Sequence, residues 1–279
     1  MGAMDIRRIY AVVNASKEGA ARSLAVLKGW AGAKGIEVLS VETQPRAPKE
    51  EGSLVVALGG DGTVLRAAVL FAETSIPILG ANLGSLGFLT QVQATALSQA
   101  LEAVLRDEFT LEERARLAFE TSTGLRGTAL NDLVVAHPTA IGFCEVELLC
   151  ADGSVATYPG DGVVLCTPTG STAYNLSLGG PIVVPSAECV VVTPLAAHRL
   201  GLRSAVFPWG QSLRVRTKTE AGLYADGDLR GDLAAGVEVS VDRAAQPTRL
   251  VRLRDSPPLF DVLRRKLNWP DGHPRKTST

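Results

Sequence analysis

The residues Gly59-Gly60-Asp61-Gly62-Thr63 follow the apolar run Leu54-Val55-Val56-Ala57-Leu58, and Leu65, Ala68, Val69 and Ala72 repeat at helical spacing after them. Glycines that join a strand to a helix permit positive φ and close backbone approach. The first amides of the helix lack internal partners and point their partial positive charge at the turn. The pattern predicts a phosphate-binding elbow. A carboxylate is a poor choice for anion binding alone, because it repels phosphate at short range, so Asp61 points to chemistry. The lysine of G-x-x-x-x-G-K-[ST] is missing, so the elbow is not a Walker loop. Arg66, one turn into the helix, is the nearest cation. Read as four residues alone, Gly-Gly-Asp-Gly is equally a tight turn.

A second block runs from Gly160-Asp161-Gly162 through Thr167-Pro168-Thr169-Gly170-Ser171-Thr172-Ala173-Tyr174. It predicts a strand, a turn and a short helix. Its hydroxyls, Thr167, Thr169, Ser171 and Thr172, exceed what one helix cap uses and suggest a polar ligand, the alternative being a turn with ordinary capping. Asn131-Asp132, between Thr128-Ala129-Leu130 and Leu133-Val134-Val135, reads as an amide and a carboxylate inside an apolar strand. Buried there, both need partners.

The elements that position these groups fall into two rhythms. Ile9 to Asn14 reads as a strand; a helix follows with Ala20, Leu24, Leu27 and Trp30 on one face, then a strand near Glu37 to Val41. The elbow with its strand and helix, a strand Ile76 to Leu79 and a helix carrying Leu97, Leu101, Val104 and Leu105 continue the alternation. This predicts a doubly wound, Rossmann-like α/β domain with ligands at the carboxyl ends of its strands, where the elbow and a second glycine loop, Gly80 to Gly87, lie. After Thr110 the period becomes two: Cys144, Val146, Leu148 and Cys150 share a face, as do Leu213 and Val215, and Val237, Val239 and Val241. That predicts a β-rich, antiparallel, sandwich-like domain over residues 110–255. The α/β domain then comprises residues 1–109 together with 256–279, whose helix, capped by Ser256 and carrying Phe260, Leu263 and Leu267, returns to it. The tail from Asp271 is expected to fray.

Lysine plus arginine (28) nearly balances aspartate plus glutamate (29), which removes the electrostatic footprint of a nucleic-acid or anionic-membrane binder. No apolar run reaches the ~20 residues of a membrane span, and a soluble, cytoplasmic protein with small-molecule partners is expected. Cys144, Cys150, Cys166 and Cys189 include no C-x-x-C pair and read as buried thiols; His137, His198 and His273 are too scattered for a zinc site.

Taken together and in this order, the elbow, Asn82-Leu83-Gly84-Ser85-Leu86-Gly87-Phe88-Leu89, Asn131-Asp132, the block from Asp161 to Tyr174, and weaker echoes at Thr193-Pro194-Leu195 with His198 and at Asp226-Gly227 resemble the NAD kinases. The resemblance runs from about Val55 to Asp228. It implies transfer of a phosphoryl group from ATP, or from polyphosphate in some members, to the 2′-hydroxyl of the adenosine ribose of NAD. Asp61 would be the general base, magnesium would be required, and Gly59, Gly60, Gly62, Thr63 and Arg66 would lie on the nucleotide. Asn131 and Asp132 would hold a ribose; Thr169, Thr172, Ala173, Tyr174 and Ser177 would form the adenine and ribose pocket; Leu86 and Phe88 would give an apolar wall. Asp161 would reach a site in a neighbouring subunit, so a homo-oligomer, dimer or tetramer, is implied. The magnesium ligands are left open. Two departures stand out: Asp132 where the family usually has glutamate, and Asp228 where glutamine is common. A kinase of a lipid or sugar, and a dinucleotide sensor without turnover, are the alternatives.

Overall fold

The computed structural model describes residues 5–45, 47–85, 87–90, 92–139, 142–199 and 201–270. The first sheet has the strand order Glu37–Ser40, Arg8–Val13, Ser53–Gly59, Ile78–Asn82, Thr248–Leu253, Phe109–Arg114, with the short Val92–Gln93 also on Ile78–Asn82. All neighbours pair in parallel except Phe109–Arg114, which runs antiparallel to Thr248–Leu253. Ser53–Gly59 is buried along its whole length, as expected for a strand covered on both faces. Its side chains alternate between two cores: Leu54, Val56 and Leu58 meet the helices Ala20–Gly32 and Leu97–Leu105, and Val55 and Ala57 meet the helix Asp61–Leu70. The doubly wound reading is thus what the residues build.

The β-rich part is a sandwich of two six-stranded antiparallel sheets. One is centred on Cys144–Cys150, Leu213–Thr217 and Glu238–Arg243, the other on Cys189–Leu195, Gly162–Cys166, Asp132–Ala136 and Ala221–Ala225. The period-two faces meet in the middle, where Val146, Leu148, Val215, Val239 and Val241 oppose Leu133, Val135, Val163, Leu165 and Leu223. All four cysteines are free and buried.

Phe109–Arg114 and Thr248–Leu253 complete the first sheet, so the parallel edge at Ile78–Asn82 is closed by chain from the later segment. Two expectations change. Asn131-Asp132 does not lie inside one strand. Arg126–Ala129 belongs to one sheet of the sandwich and Asp132–Ala136 to the other, and the pair sits at the crossover. The last helix, Leu259–Leu267, returns to the α/β part with Lys266 Nζ 5.0 Å from the centre of the Phe88 ring. Its N-cap is Pro258, and Ser256 Oγ, expected to cap it, has no hydrogen-bond partner among the described residues. The tail 271–279 lies outside the described residues.

Candidate functional site

The elbow's strand ends at Gly59, and the helix Asp61–Leu70 starts with Gly60 as its N-cap in an extended conformation. Thr63 Oγ1 accepts from the Gly60 amide at 3.3 Å, which satisfies one orphan donor of the first turn. Positive φ is not what these glycines supply, since none of Gly59, Gly60 and Gly62 adopts it. Close approach is needed at Gly59, where a Cβ would run into Thr63 Oγ1, whereas Gly60 and Gly62 face open space. Bare backbone with free amides at a helix start is a surface that an anion can approach.

Asp61 is half-buried, and its carboxylate is aimed by the second glycine loop. Oδ2 accepts from the Phe88 amide at 2.7 Å; Oδ1 accepts from the amides of Leu89 and Thr90 at 3.0 and 3.1 Å and lies 3.4 Å from the Thr90 hydroxyl. The loop is fixed in turn by Asn82. Its side-chain amide donates to Ser85 O and, at 3.0 Å, to Thr90 Oγ1, its Oδ1 accepts from the Gly84 amide at 2.8 Å, and Thr90 Oγ1 accepts from the Gly87 amide at 2.9 Å. Gly87 is required because a Cβ there would overlap the Asp61 carboxylate. With one amide on it among the described residues, Oδ2 keeps an acceptor site for a substrate hydroxyl.

A cavity of about 580 Å³ opens on the outer face of the sandwich sheet that carries Asp132–Ala136. It brings together five expected residues, Asn131, Asp132, Asp161, Ala173 and Tyr174, with Val134, Tyr224, Asp226 and, from the elbow's helix, Leu65. Asp161, expected to reach a neighbouring subunit, therefore lines a cavity of its own chain. Asp61, Gly59, Gly60, Gly62, Thr63, Arg66, Phe88, Thr169, Thr172 and Ser177 do not line it. Leu86 lies outside the described residues. Arg66 is exposed and donates to Glu42 O at 2.7 Å. His198 is exposed and its ring meets Phe143 at 5.7 Å.

The surplus of hydroxyls is taken up internally. Thr167 Oγ1 donates to Leu130 O at 2.7 Å, Ser171 Oγ to Pro168 O at 2.7 Å, Thr172 Oγ1 to Thr169 O at 3.3 Å, and Thr169 Oγ1 accepts from Arg114 at 3.3 Å. These bonds build the ledge that presents Ala173 and Tyr174. Gly170 belongs to the ledge too, because a Cβ there would strike the Asn131 backbone.

Asp226 organises the wall beside the ledge. From a left-handed turn, φ 51°, it accepts from the amides of Leu130, Asn131 and Asp132 at 2.8, 2.6 and 3.3 Å. Sequence reading placed Asp226 among weak echoes. The signal that could have raised it is an aspartate before glycine in a strand-to-strand turn, a residue that tolerates φ > 0 and bonds nearby amides. Burial, with the nearby Asp226 carboxylate adding to it, pushes the Asp132 carboxyl up to about 7. For Asp226 itself burial raises the pKa, against the three amides and Arg116, which lower it.

The native protein thus holds the Asp132 proton where the unfolded chain, near 3.8, has lost it. Stability from this group is full below about pH 4 and lost as pH rises through about 7. Asp132→Asn should therefore stabilise the protein at pH 8 by on the order of 2–4 kcal/mol and far less at pH 5. Thermal melts at the two pH values check this, and an equal shift at both would contradict it.

A model of the ATP-NAD kinase N-terminal domain matches residues 12–109, and one of the ATP-NAD kinase C-terminal domain matches residues 130–253. An NAD kinase of Acidobacterium capsulatum is 36% identical over 283 residues, covering 95% of this chain and 99% of that protein. The chain belongs to the NAD kinase family. An NAD kinase of Moorella thermoacetica is 41% identical over 219 residues, covering 76% of this chain and 70% of that one. Among solved structures, an NAD kinase from Archaeoglobus fulgidus in complex with ATP superposes with a TM-score of 0.75 at 25% identity, covering 94% of this chain and 98% of that chain. Yeast NADH kinase complexed with NADH shares the fold, with a TM-score of 0.86 at 20% identity and coverages of 98% and 90%.

Proposed function

We propose that this NAD kinase family member transfers the terminal phosphoryl group of ATP to the 2′-hydroxyl of the adenosine ribose of NAD, giving NADP, with Asp61 as general base. The observation that carries the reading is the Asp61 carboxylate, aimed by the amides of Phe88, Leu89 and Thr90, with Oδ2 open to a hydroxyl. A ribose hydroxyl is a weak nucleophile, and a carboxylate acceptor within reach draws its proton as the O–P bond forms. The rest of phosphoryl transfer is positioning and charge neutralisation, and the open backbone at Gly60 and Gly62 supports phosphates at the start of the helix. Asn131, Asp132, Asp161, Ala173 and Tyr174 hold the dinucleotide in the 580 Å³ cavity.

Magnesium belongs to the same proposal. Among the described residues there is no group of three or more His, Cys, Asp or Glu side chains able to cage a metal ion. A magnesium ion would be held mainly through substrate phosphates and water and would supply neutralisation of the phosphoryl oxygens. Homo-oligomerisation and cytoplasmic residence also belong to the proposal. Among the described residues no helix is long and apolar enough to cross a membrane.

The test is turnover with product identification. Purified protein with NAD, ATP and magnesium should form NADP, and polyphosphate, lipid and sugar arms of the same screen fix donor and acceptor. Binding of NAD without turnover under every donor would make the protein a sensor and end the proposal.

A further inference from the structure

Phosphoryl transfer from a triphosphate needs positive charge around the donor, and the elbow has little to give: it lacks a lysine, and Arg66 is turned to Glu42 O. The first sheet and the last helix gather three cations beside it. In the antiparallel pair of Phe109–Arg114 with Thr248–Leu253, Arg114 is opposite Thr248, Glu112 opposite Leu250 and Thr110 opposite Arg252. Leu111, Val251 and Leu253 turn into the core shared with the helices Ala20–Gly32 and Leu97–Leu105, so alternation puts Glu112, Arg114 and Arg252 on the other face. There they line a cavity of about 90 Å³, whose walls also include Gly87, Phe88 and Thr90 of the loop that grips Asp61 and the first turn of the helix Leu259–Leu267. One water needs ~10–15 Å³ on this measure, so a phosphate group has room.

The charges around this cavity are not balanced. Arg114 is 4% exposed; it donates to Thr169 Oγ1 at 3.3 Å and lies 3.0 Å from Glu112 Oε2, and its Nε is buried with no hydrogen-bond partner among the described residues. Arg252 donates to Pro257 O at 2.5 Å and lies 3.7 Å from the same Glu112 oxygen. One carboxylate thus serves two guanidinium groups, and a buried guanidinium with an unused donor is what an anion satisfies. Lys266, in the last turn of the helix, is the third cation. It is exposed, stands 5.0 Å from the centre of the Phe88 ring, and pairs with no carboxylate among the described residues. The cluster borders the base itself, because the Phe88 amide bonds Asp61 Oδ2 at 2.7 Å and the Thr90 hydroxyl lies 3.4 Å from Oδ1.

We propose that Arg114, Arg252 and Lys266 form an anion site for the phosphates of the donor that are not transferred. The terminal phosphoryl group lies at the start of the elbow's helix. As the ribose oxygen bonds to phosphorus, its proton passes to Asp61; the bond from phosphorus to the bridging oxygen breaks, and its electron pair leaves with the diphosphate, whose added charge the three cations offset. The inference deepens the kinase reading and rests on it.

Calorimetry with inorganic tripolyphosphate on the whole protein, at fixed free magnesium, tests the site without turnover, and initial rates test its use. Wild type should bind tripolyphosphate. Arg252→Met should weaken that binding ~10-fold and Lys266→Met ~3-fold, the worth of one charged contact inside the cavity and one at its exposed rim. KM for ATP should rise by the same factors while KM for NAD stays within about twofold, a split that a purely structural ion network does not produce. A folded Arg252→Met that binds tripolyphosphate as wild type does, or KM values for ATP and NAD that rise together, overturns the inference. If Arg252→Met does not fold, the exposed position decides, and an unchanged KM for ATP in Lys266→Met overturns it. Wild type that forms no NADP with any donor refutes the kinase reading instead; tripolyphosphate binding that is weakened in Arg252→Met would still support the anion site, and its absence from wild type would overturn it.

Discussion

Asp61→Asn is expected to lower kcat by ~10² to 10⁴, the usual worth of a general base, while NAD affinity changes little. The amide side chain keeps one oxygen to accept from the loop, so the elbow keeps its shape, but it cannot take a proton from the ribose hydroxyl. The cavity residues proposed to hold the dinucleotide, Asn131, Asp132, Asp161 and Tyr174, are untouched. Rapid-quench single-turnover measurement with saturating NAD isolates the step. Undiminished single-turnover rate would remove Asp61 from the proton transfer.

The second large effect is expected where no side chain exists. At Gly87 a Cβ would overlap the Asp61 carboxylate, and the buried backbone there cannot retreat, because the Gly87 amide is bonded to Thr90 and Thr90 to Asn82. The Asp61 side chain must swing away from the amides of Phe88 to Thr90. Misplacing a catalytic group by about 1 Å costs on the order of 10²-fold, so Gly87→Ala should lower kcat by ~10² with a much smaller change in melting temperature. Asp61→Asn combined with Gly87→Ala should lose little more than either alone, since both act through one carboxylate. Multiplying losses in the double variant would show that Gly87 serves something else.

How far the chain discloses this arrangement depends on which atoms do the work. The elbow was legible because its glycines and aspartate interrupt an apolar strand and a helical stripe at a fixed place, and the alternation of Leu54, Val56 and Leu58 against Val55 and Ala57 carried the doubly wound sheet. The grip on Asp61 was not legible, because it consists of backbone amides 27 to 29 residues away, and an amide leaves no trace in residue type. The four hydroxyls from Thr167 to Thr172 misled for the opposite reason: their residue types suggest a ligand, and their bonds go to Leu130, Pro168, Thr169 and Arg114. Asp226 is separated from the amides it holds by 94 to 96 residues, and only the pairing of Ala221–Ala225 with Asp132–Ala136 delivers it there. The place of Thr248–Leu253 in the first sheet was equally hidden, since it looks like any half-buried strand until Ile78–Asn82 is seen to need a neighbour.

Asp132 combines both lessons. Its burial beside Asp226 makes its charge depend on pH near 7. The wall proposed to receive the dinucleotide is therefore one whose own protonation would count in both folding and binding, with opposite signs: stability falls as the carboxyl ionises, and hydroxyl acceptance improves.

The central claim concerns one contact, and a crystal structure of the Asp61→Asn protein with NAD and a non-hydrolysable ATP analogue tests it most directly. The ribose 2′-oxygen should lie ~2.6–3.2 Å from the residue 61 side chain, in line with the terminal phosphorus. A 2′-oxygen held by another side chain and out of reach of residue 61 would contradict the account.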